Sequence, residues 1–209
     1  MLSTGNKEFN AFLNVGIDGI TTIYGKAGTG KTCLCIMTAA ENCKANKVVF
    51  INCEDNFPID RFKQIAGNEA EKLLDNLILI NVKSFKDQHK KILEIKSLCK
   101  NVPLVIIDGL SHYYRMFIKV DKILAINMLN VQMSKLAEIV KDGKSVLITN
   151  HVYTNSLRNK IEMVGYSVIF PYSKKVIELT KNNNRIAYLR KPGLTEFSFL
   201  IDEKGIIGY

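Results

Sequence analysis

The densest chemical signal in the chain is Gly25-Lys26-Ala27-Gly28-Thr29-Gly30-Lys31-Thr32. It fits the spacing G-x-x-x-x-G-K-[ST], whose residue types serve one purpose. Glycines at 25, 28 and 30 let the backbone curl until successive N–H groups converge on an anion. A helix opening at Lys31 adds its positive end to the same point, and Cys33 continues its first turn. Lys31 supplies a cation for β- and γ-phosphates, and Thr32 supplies a hydroxyl for Mg²⁺. The ligand expected here is ATP with Mg²⁺.

Three further positions complement that loop. Asp108 ends the apolar run Pro103-Leu-Val-Ile-Ile-Asp108, where a carboxylate can hold Mg²⁺ through water. Glu54 ends Val48-Val-Phe-Ile-Asn-Cys-Glu54, where it can orient and polarise an attacking water. Asn150 and His151 end Val146-Leu-Ile-Thr-Asn-His, placed to sense a γ-phosphate and pass its presence onward. Each has a plainer reading, Glu54 as a solvated strand end and His151 as a bystander.

The elements that must position these residues alternate. Strands are predicted over 20–24, 48–53, 77–82, 104–108 and 145–149, and helices over 31–44, 59–66, 87–100 and 122–141. In the last helix Ala125, Met128, Leu129, Met133, Leu136 and Val140 share one side and read as core. Alternation of this kind demands a mostly parallel sheet with helices on both faces. After His151 the pattern changes to strands over 175–180, 185–189 and 196–201, a C-terminal antiparallel extension. At 209 residues the chain fits one α/β domain.

The five cysteines are irregularly spaced, the pattern of a reducing compartment. Cys33 and Cys35, about 200° apart around a helix, do not chelate one metal ion. The N-terminus lacks the pattern of a signal peptide, and no uncharged apolar run approaches the length of a membrane span. A soluble, cytoplasmic protein with no membrane partner is therefore expected. The formal net charge is +9, and residues 151–195 hold eight Lys and Arg against two Glu. A surplus so concentrated points to a polyanion such as DNA, or to an ordinary solvated face.

With these four motifs in this order, the chain resembles the RecA-type recombinases of archaea and eukaryotes, and most closely their small archaeal paralogues. Leu2-Ser-Thr-Gly5 is similar to the family's N-terminal motif, and Ile23-Tyr-Gly25 through Thr32 to its phosphate loop. Glu54 to Phe62 resembles the segment with the catalytic glutamate and, seven residues on, an arginine that stacks on adenine, here Arg61. Asp108-Gly-Leu-Ser-His-Tyr-Tyr-Arg115, Thr149-Asn-His-Val-Tyr153, Ser173-Lys-Lys-Val-Ile177 and the segment 185–192 match later family segments.

The resemblance implies a RecA-like ATPase core and a role in homologous recombination. It also implies DNA binding through two loops, at about 113–122 and 153–166. Tyr113, Tyr114 and Arg115 would then offer stacking and phosphate contacts, or the tyrosines pack under the loop. Arg158, Lys160, Arg190 and Lys191 are the basic candidates. A homodimer and contact with a Holliday-junction resolvase or a recombinase are also implied. Because the resemblance begins at Leu2, no N-terminal helical DNA-binding domain is expected, and no strand exchange by the protein alone. Two departures stand out. His151 replaces the family's usual Gln, and the second loop keeps only Gly165 of its glycine pair.

The function expected is that of a weakly ATP-hydrolysing, DNA-binding accessory protein of recombination and repair. The alternatives are a non-hydrolysing nucleotide switch or scaffold for other repair factors, and a small-metabolite kinase. The kinase reading lacks an Arg-rich lid between the magnesium strand and the sensor strand.

Overall fold

The computed structural model describes residues 2–54, 56–155 and 160–208. The chain opens with α1 (Lys7–Phe12), started by Asn6, whose side chain accepts from the Phe9 amide. Five parallel-sheet strands and their crossovers follow: β1 (Ile20–Gly25), α2 (Lys31–Cys43), β2 (Val48–Asn52), α3 (Ile59–Ala66) and α4 (Ala70–Leu74), β3 (Leu77–Asn81), α5 (Phe85–Leu93) and α6 (Ile95–Leu98), β4 (Leu104–Asp108), α7 (Tyr114–Phe117) and α8 (Lys122–Lys141), and β5 (Ser145–Asn150). Then come the hairpin β6 (Val152–Asn155) and β7 (Lys160–Met163), α9 (Tyr166–Tyr172), and four strands: β8 (Lys175–Lys181), β9 (Arg185–Lys191), β10 (Thr195–Asp202) and β11 (Gly205–Gly208).

Nine of these strands form one sheet in the order β11-β10-β9-β8-β1-β5-β4-β2-β3. Pairing is parallel from β8 through β3 and antiparallel from β8 outward to β11. This is the mostly parallel sheet with a C-terminal antiparallel extension that the alternation demands. The central strands β2, β4 and β5 are buried along nearly their whole length, apolar in the middle and polar only towards their ends, because both faces are covered. Successive side chains go to opposite faces, so Phe50 joins the cluster under α2 with Leu34, Ile36 and Phe62. Val49 and Ile51 join the opposite cluster with Leu129, Met133 and Leu136 of α8.

The helix expected over 87–100 is two helices. At Glu94 the bonding tightens, with the Ser97 amide and hydroxyl both donating to the Glu94 carbonyl. On α8 the buried stripe is Ala125, Leu129, Gln132, Met133, Leu136 and Ile139, with Met128 and Val140 only half-buried. Among the described residues α8 is the one helix whose length and apolarity would suit a membrane span, but its inner face is a layer of this fold. The segments expected as loops after β4 and β5 contain α7 and the β6–β7 hairpin. Neither α1 nor β11 is foreseen by the periodicity.

The candidate nucleotide site and its neighbouring groove

Strand register gathers the chemistry at one edge. Tyr24, the residue before the phosphate loop, pairs with Asn150, and Asn52 pairs with Asp108. The ends of β1, β5, β4 and β2 therefore lie side by side, although their residues are up to 126 positions apart, from Gly25 to His151. That is the carboxyl edge where open parallel sheets bind ligands.

The phosphate loop leaves β1 and opens α2, whose N-cap is Gly30 at φ 109° with no side-chain cap. The first-turn amides of α2 thus carry no capping side chain and face a cleft of about 310 Å³. Ala27, Gly28, Lys31, Thr32, Cys33, Glu54 and His151 are among the residues that line it. A Cβ on Gly30 would sit 2.6 Å from Cδ1 of Ile201, so the loop is packed against β10, and the φ of 109° there strains any residue but glycine.

Lys31 is buried, its ammonium donating at 2.9 Å to the Gly25 and Lys26 carbonyls. Burial lowers its pKa, opposed by the negative charges of Glu54 and Asp108. Asp108 is 2% exposed. Burial raises its carboxyl, opposed by hydrogen bonds from Thr149 and Thr32 and by the charge of Lys31. Thr149 Oγ1 donates to Asp108 Oδ1 and accepts from the Gly109 amide, which fixes the carboxylate. The thiols of Cys35 and Cys53 are pushed well up by burial, so they are neutral core groups.

The donor set fits a phosphate-bound Mg²⁺. Among the described residues no three His, Cys, Asp or Glu side chains cluster tightly enough to cage a metal. One buried carboxylate beside one hydroxyl, next to uncapped amides and an ammonium, suits an ion that keeps waters and takes phosphate oxygens.

Glu54 is held below the usual carboxylate range, first by the His151 side chain and further by Lys31 and His112, against burial. Its Oε1 lies 3.4 Å from His151 Nε2. The other ring nitrogen, Nδ1, lies 3.2 Å from Ser111 Oγ. The His151 ring is thus engaged with Glu54 and Ser111 while it lines the same cleft as the phosphate loop. Asn150 is buried, its amide donating to the Val164 carbonyl at 2.6 Å, while its Oδ1 has no partner among the described residues. Arg61 reaches Cys33 Sγ at 3.4 Å and donates to the Asp202 carbonyl, which places its guanidinium beside the first turn of α2.

A second depression of about 500 Å³ lies between α7, the β6–β7 hairpin and α9. Exposed Arg115, Tyr153 and Tyr166 line it. Tyr166 stacks on Phe170 with ring centroids 4.7 Å apart. Tyr114 also reaches this groove but is 4% exposed, packed edge-on against Phe85. It is corrected from a stacking platform to a core residue, because α5 supplies an apolar partner. Tyr113 donates its hydroxyl to the Val82 carbonyl and is half-buried, so its ring is not an open face either.

Arg190 is paired with Glu178 at 2.7 Å and lies over the Tyr188 ring, and Lys191 donates to the Phe170 carbonyl. Lys174 and Lys175 both pair with Asp18. Four of the eight basic residues in 151–195 thus have partners within the chain, although Lys174 and Arg190 stay partly exposed. Arg158 lies outside the described residues, and Lys160 is described only as the first residue of β7. Thr149, Ser111, Tyr153 and Tyr166 were not singled out for these contacts. Strand-end polarity marks Thr149, but nothing in the spacing marks Ser111.

An uncapped helix on a glycine loop, a buried lysine, and carboxylates from adjacent strand ends define a P-loop nucleotide-binding protein. Comparison narrows the class. Residues 1–208 match the Rad51 family model, and the chain belongs to that family. It is 36% identical to the DNA repair and recombination protein RadB of Methanoculleus marisnigri over 98% of this chain and 96% of that protein. It is 34% identical to the RadB of Methanocaldococcus jannaschii, covering 90% and 92% of the two chains. The RadB of Methanobrevibacter smithii is 29% identical over 97% and 94%.

Proposed function

We propose that this chain binds MgATP at the phosphate loop, binds DNA in the adjoining groove, and hydrolyses ATP slowly as an accessory protein of recombination and repair in the cytoplasm. The observation that carries the reading is that Lys31, Thr32 and Glu54 line one cleft at the carboxyl edge of the sheet, with buried Asp108 hydrogen-bonded to Thr32 and within the field of Lys31 and Glu54. The α2 amides and Lys31 would hold the phosphates, Thr32 and Asp108 would hold Mg²⁺, and Arg61 would stack on the base. Bound Mg²⁺ supplies charge neutralisation at the β- and γ-phosphates. Glu54, kept ionised by His151 and Lys31, accepts a hydrogen bond from water and aims it at the γ-phosphate.

Tyr153, Tyr166 and Arg115 are the groups suited to an unpaired strand: two part-exposed aromatic side chains and a cation beside one groove. Names among its relatives supply the recombination and repair setting. A homodimer, and a resolvase or recombinase as protein partner, belong to the same proposal. The test is nucleotide affinity and phosphate release for wild type, Lys31→Ala and Glu54→Gln, with and without single-stranded DNA. Lys31→Ala is expected to lose tight binding, whereas Glu54→Gln keeps it and loses hydrolysis. Equal loss of affinity in both, or full turnover in Glu54→Gln, overturns the role of Glu54.

A further inference from the structure

The geometry points to His151 and Ser111 as positioning residues that aim the Glu54 carboxylate. The inference rests on the reading of Glu54 as the group that orients water.

Ser111 is 0% exposed, and its hydroxyl oxygen accepts from the His151 backbone N–H at 3.0 Å. The hydroxyl hydrogen, shut away from water, needs an acceptor inside the protein, and His151 Nδ1 lies at 3.2 Å. If Ser111 donates to Nδ1, the proton of the neutral imidazole sits on Nε2. Nε2 is the nitrogen that faces Glu54 Oε1 at 3.4 Å. That is an ion-pair contact at the outer limit of hydrogen-bond reach. Ser111 therefore sets the tautomer in which a neutral His151 can donate to the carboxylate.

The opposite side of Glu54 is bounded by backbone. A Cβ on Gly109, at φ 84°, would sit 2.8 Å from Glu54 Cγ, so the side chain lies directly on the turn that leaves β4. The carboxylate is thus bounded by the Gly109 backbone on one side and met by His151 at Oε1. Lys31 and His112 face the same carboxylate with positive or polar character, and Asp108 faces it with negative charge. His112 sits near His151, ring centroids 5.9 Å apart, and is reached from the same turn as Ser111.

A positioned base contributes about 100- to 10,000-fold to a proton transfer, and losing its orientation forfeits part of that. His151→Ala is expected to lower kcat about tenfold with KM within about twofold, because the phosphate loop, Lys31, Thr32 and Asp108 are untouched. His151→Gln, whose amide N–H reaches a similar point, is expected to recover most of the loss. Ser111→Ala should give a smaller loss and a changed ring spectrum. The decisive readout is ¹⁵N–¹H NMR of the His151 ring, which needs no substitution in the wild type. A ring protonated at Nε2 in the wild type, turning to a mixture of tautomers in Ser111→Ala, supports the inference.

Unchanged kcat in His151→Ala, or a neutral wild-type ring protonated at Nδ1, overturns it. So does failure of His151→Gln to exceed His151→Ala. The two readings fail separately. If Glu54→Gln hydrolyses normally, the role of Glu54 is wrong and the positioning role falls with it. If Glu54→Gln is inactive while His151→Ala is not, only the positioning role is lost.

Discussion

Asp108→Asn should make the protein more stable and less able to use its ligand. The substitution is close to isosteric, and the side chain is 2% exposed, so packing is kept. The hydrogen bond from Thr149 Oγ1 can be kept by the amide oxygen. What disappears is a buried negative charge. Its carboxyl is raised chiefly by burial, and that net direction already includes the help of Lys31, Thr149 and Thr32. The environment as a whole therefore disfavours the ion, and neutralising it should stabilise by about 1 kcal/mol, within the usual range for such changes. For a chain of this size that is about 2–4 °C in Tm.

The pH dependence has a definite sign. A carboxyl raised in the fold contributes stability below its unfolded pKa, about 3.9, and loses it as pH rises through the folded value. The gap between Asp108→Asn and wild type should thus be near zero at pH 4 and full at pH 8. Saturating MgATP should reverse the order, adding about 2.7 kcal/mol to wild type at a hundred times Kd and much less to the variant. Thermal and urea unfolding, each with and without MgATP, read both effects. A variant less stable than wild type at neutral pH refutes the burial argument. Equal stabilisation of both by MgATP refutes the metal assignment.

The groove and the basic stretch make separate predictions. Tyr153→Ala and Tyr166→Ala should each weaken single-stranded DNA binding by about 1–3 kcal/mol per stacked base in fluorescence anisotropy, while nucleotide affinity stays put. Arg190→Ala should cost up to about 1 kcal/mol of stability through its pair with Glu178, which is only partly exposed. The same variant should leave the salt dependence of DNA binding unchanged. A slope reduced by one contact's worth would return Arg190 to the DNA surface.

The strand ends were legible because each couples a physical signal to a place. An apolar run buried on both faces cannot end in a charged residue except where the sheet meets solvent or ligand. Gly25, Glu54, Asp108 and Asn150 could all be read that way. The order β1-β5-β4-β2 was not legible, because alternation of strands and helices says that a parallel sheet exists and not which strands touch. The Ser111–His151–Glu54 contact depends on that order alone. Tyr114 shows the same limit at short range. Its neighbours in sequence are polar or aromatic, and its burial is decided by Phe85, 29 residues earlier. Likewise the pairing of Arg190 with Glu178 depends on the β8–β9 register, which a bulge between Val176 and Ile177 shifts. Short elements such as α1 and α7 carry too few turns for periodicity to register, although Asn6 with Phe9 and Leu13 is a cap followed by one apolar face.

The last residues of β5 and the first of β6 explain how events in the groove can reach the nucleotide cleft. Thr149 binds Asp108, and the Asn150 amide donates to the Val164 carbonyl beyond β7. His151 meets Glu54 through its ring and accepts from the Val164 amide through its carbonyl, at 3.0 Å. Two residues later Tyr153 lines the groove. Asn150 and His151 thus anchor both ends of the β6–β7 hairpin while the His151 ring lies 3.4 Å from the Glu54 carboxylate. A rigid shift of the hairpin, such as a strand stacked on Tyr153 would favour, has to move the His151 backbone or break two backbone-anchored hydrogen bonds. Moving the backbone carries the imidazole with it. Such a link needs no separate wire through the core, only the short rigid segment that both sites share. It is also reciprocal in binding: if DNA alters how tightly the cleft holds its nucleotide, nucleotide must alter DNA affinity by the same factor.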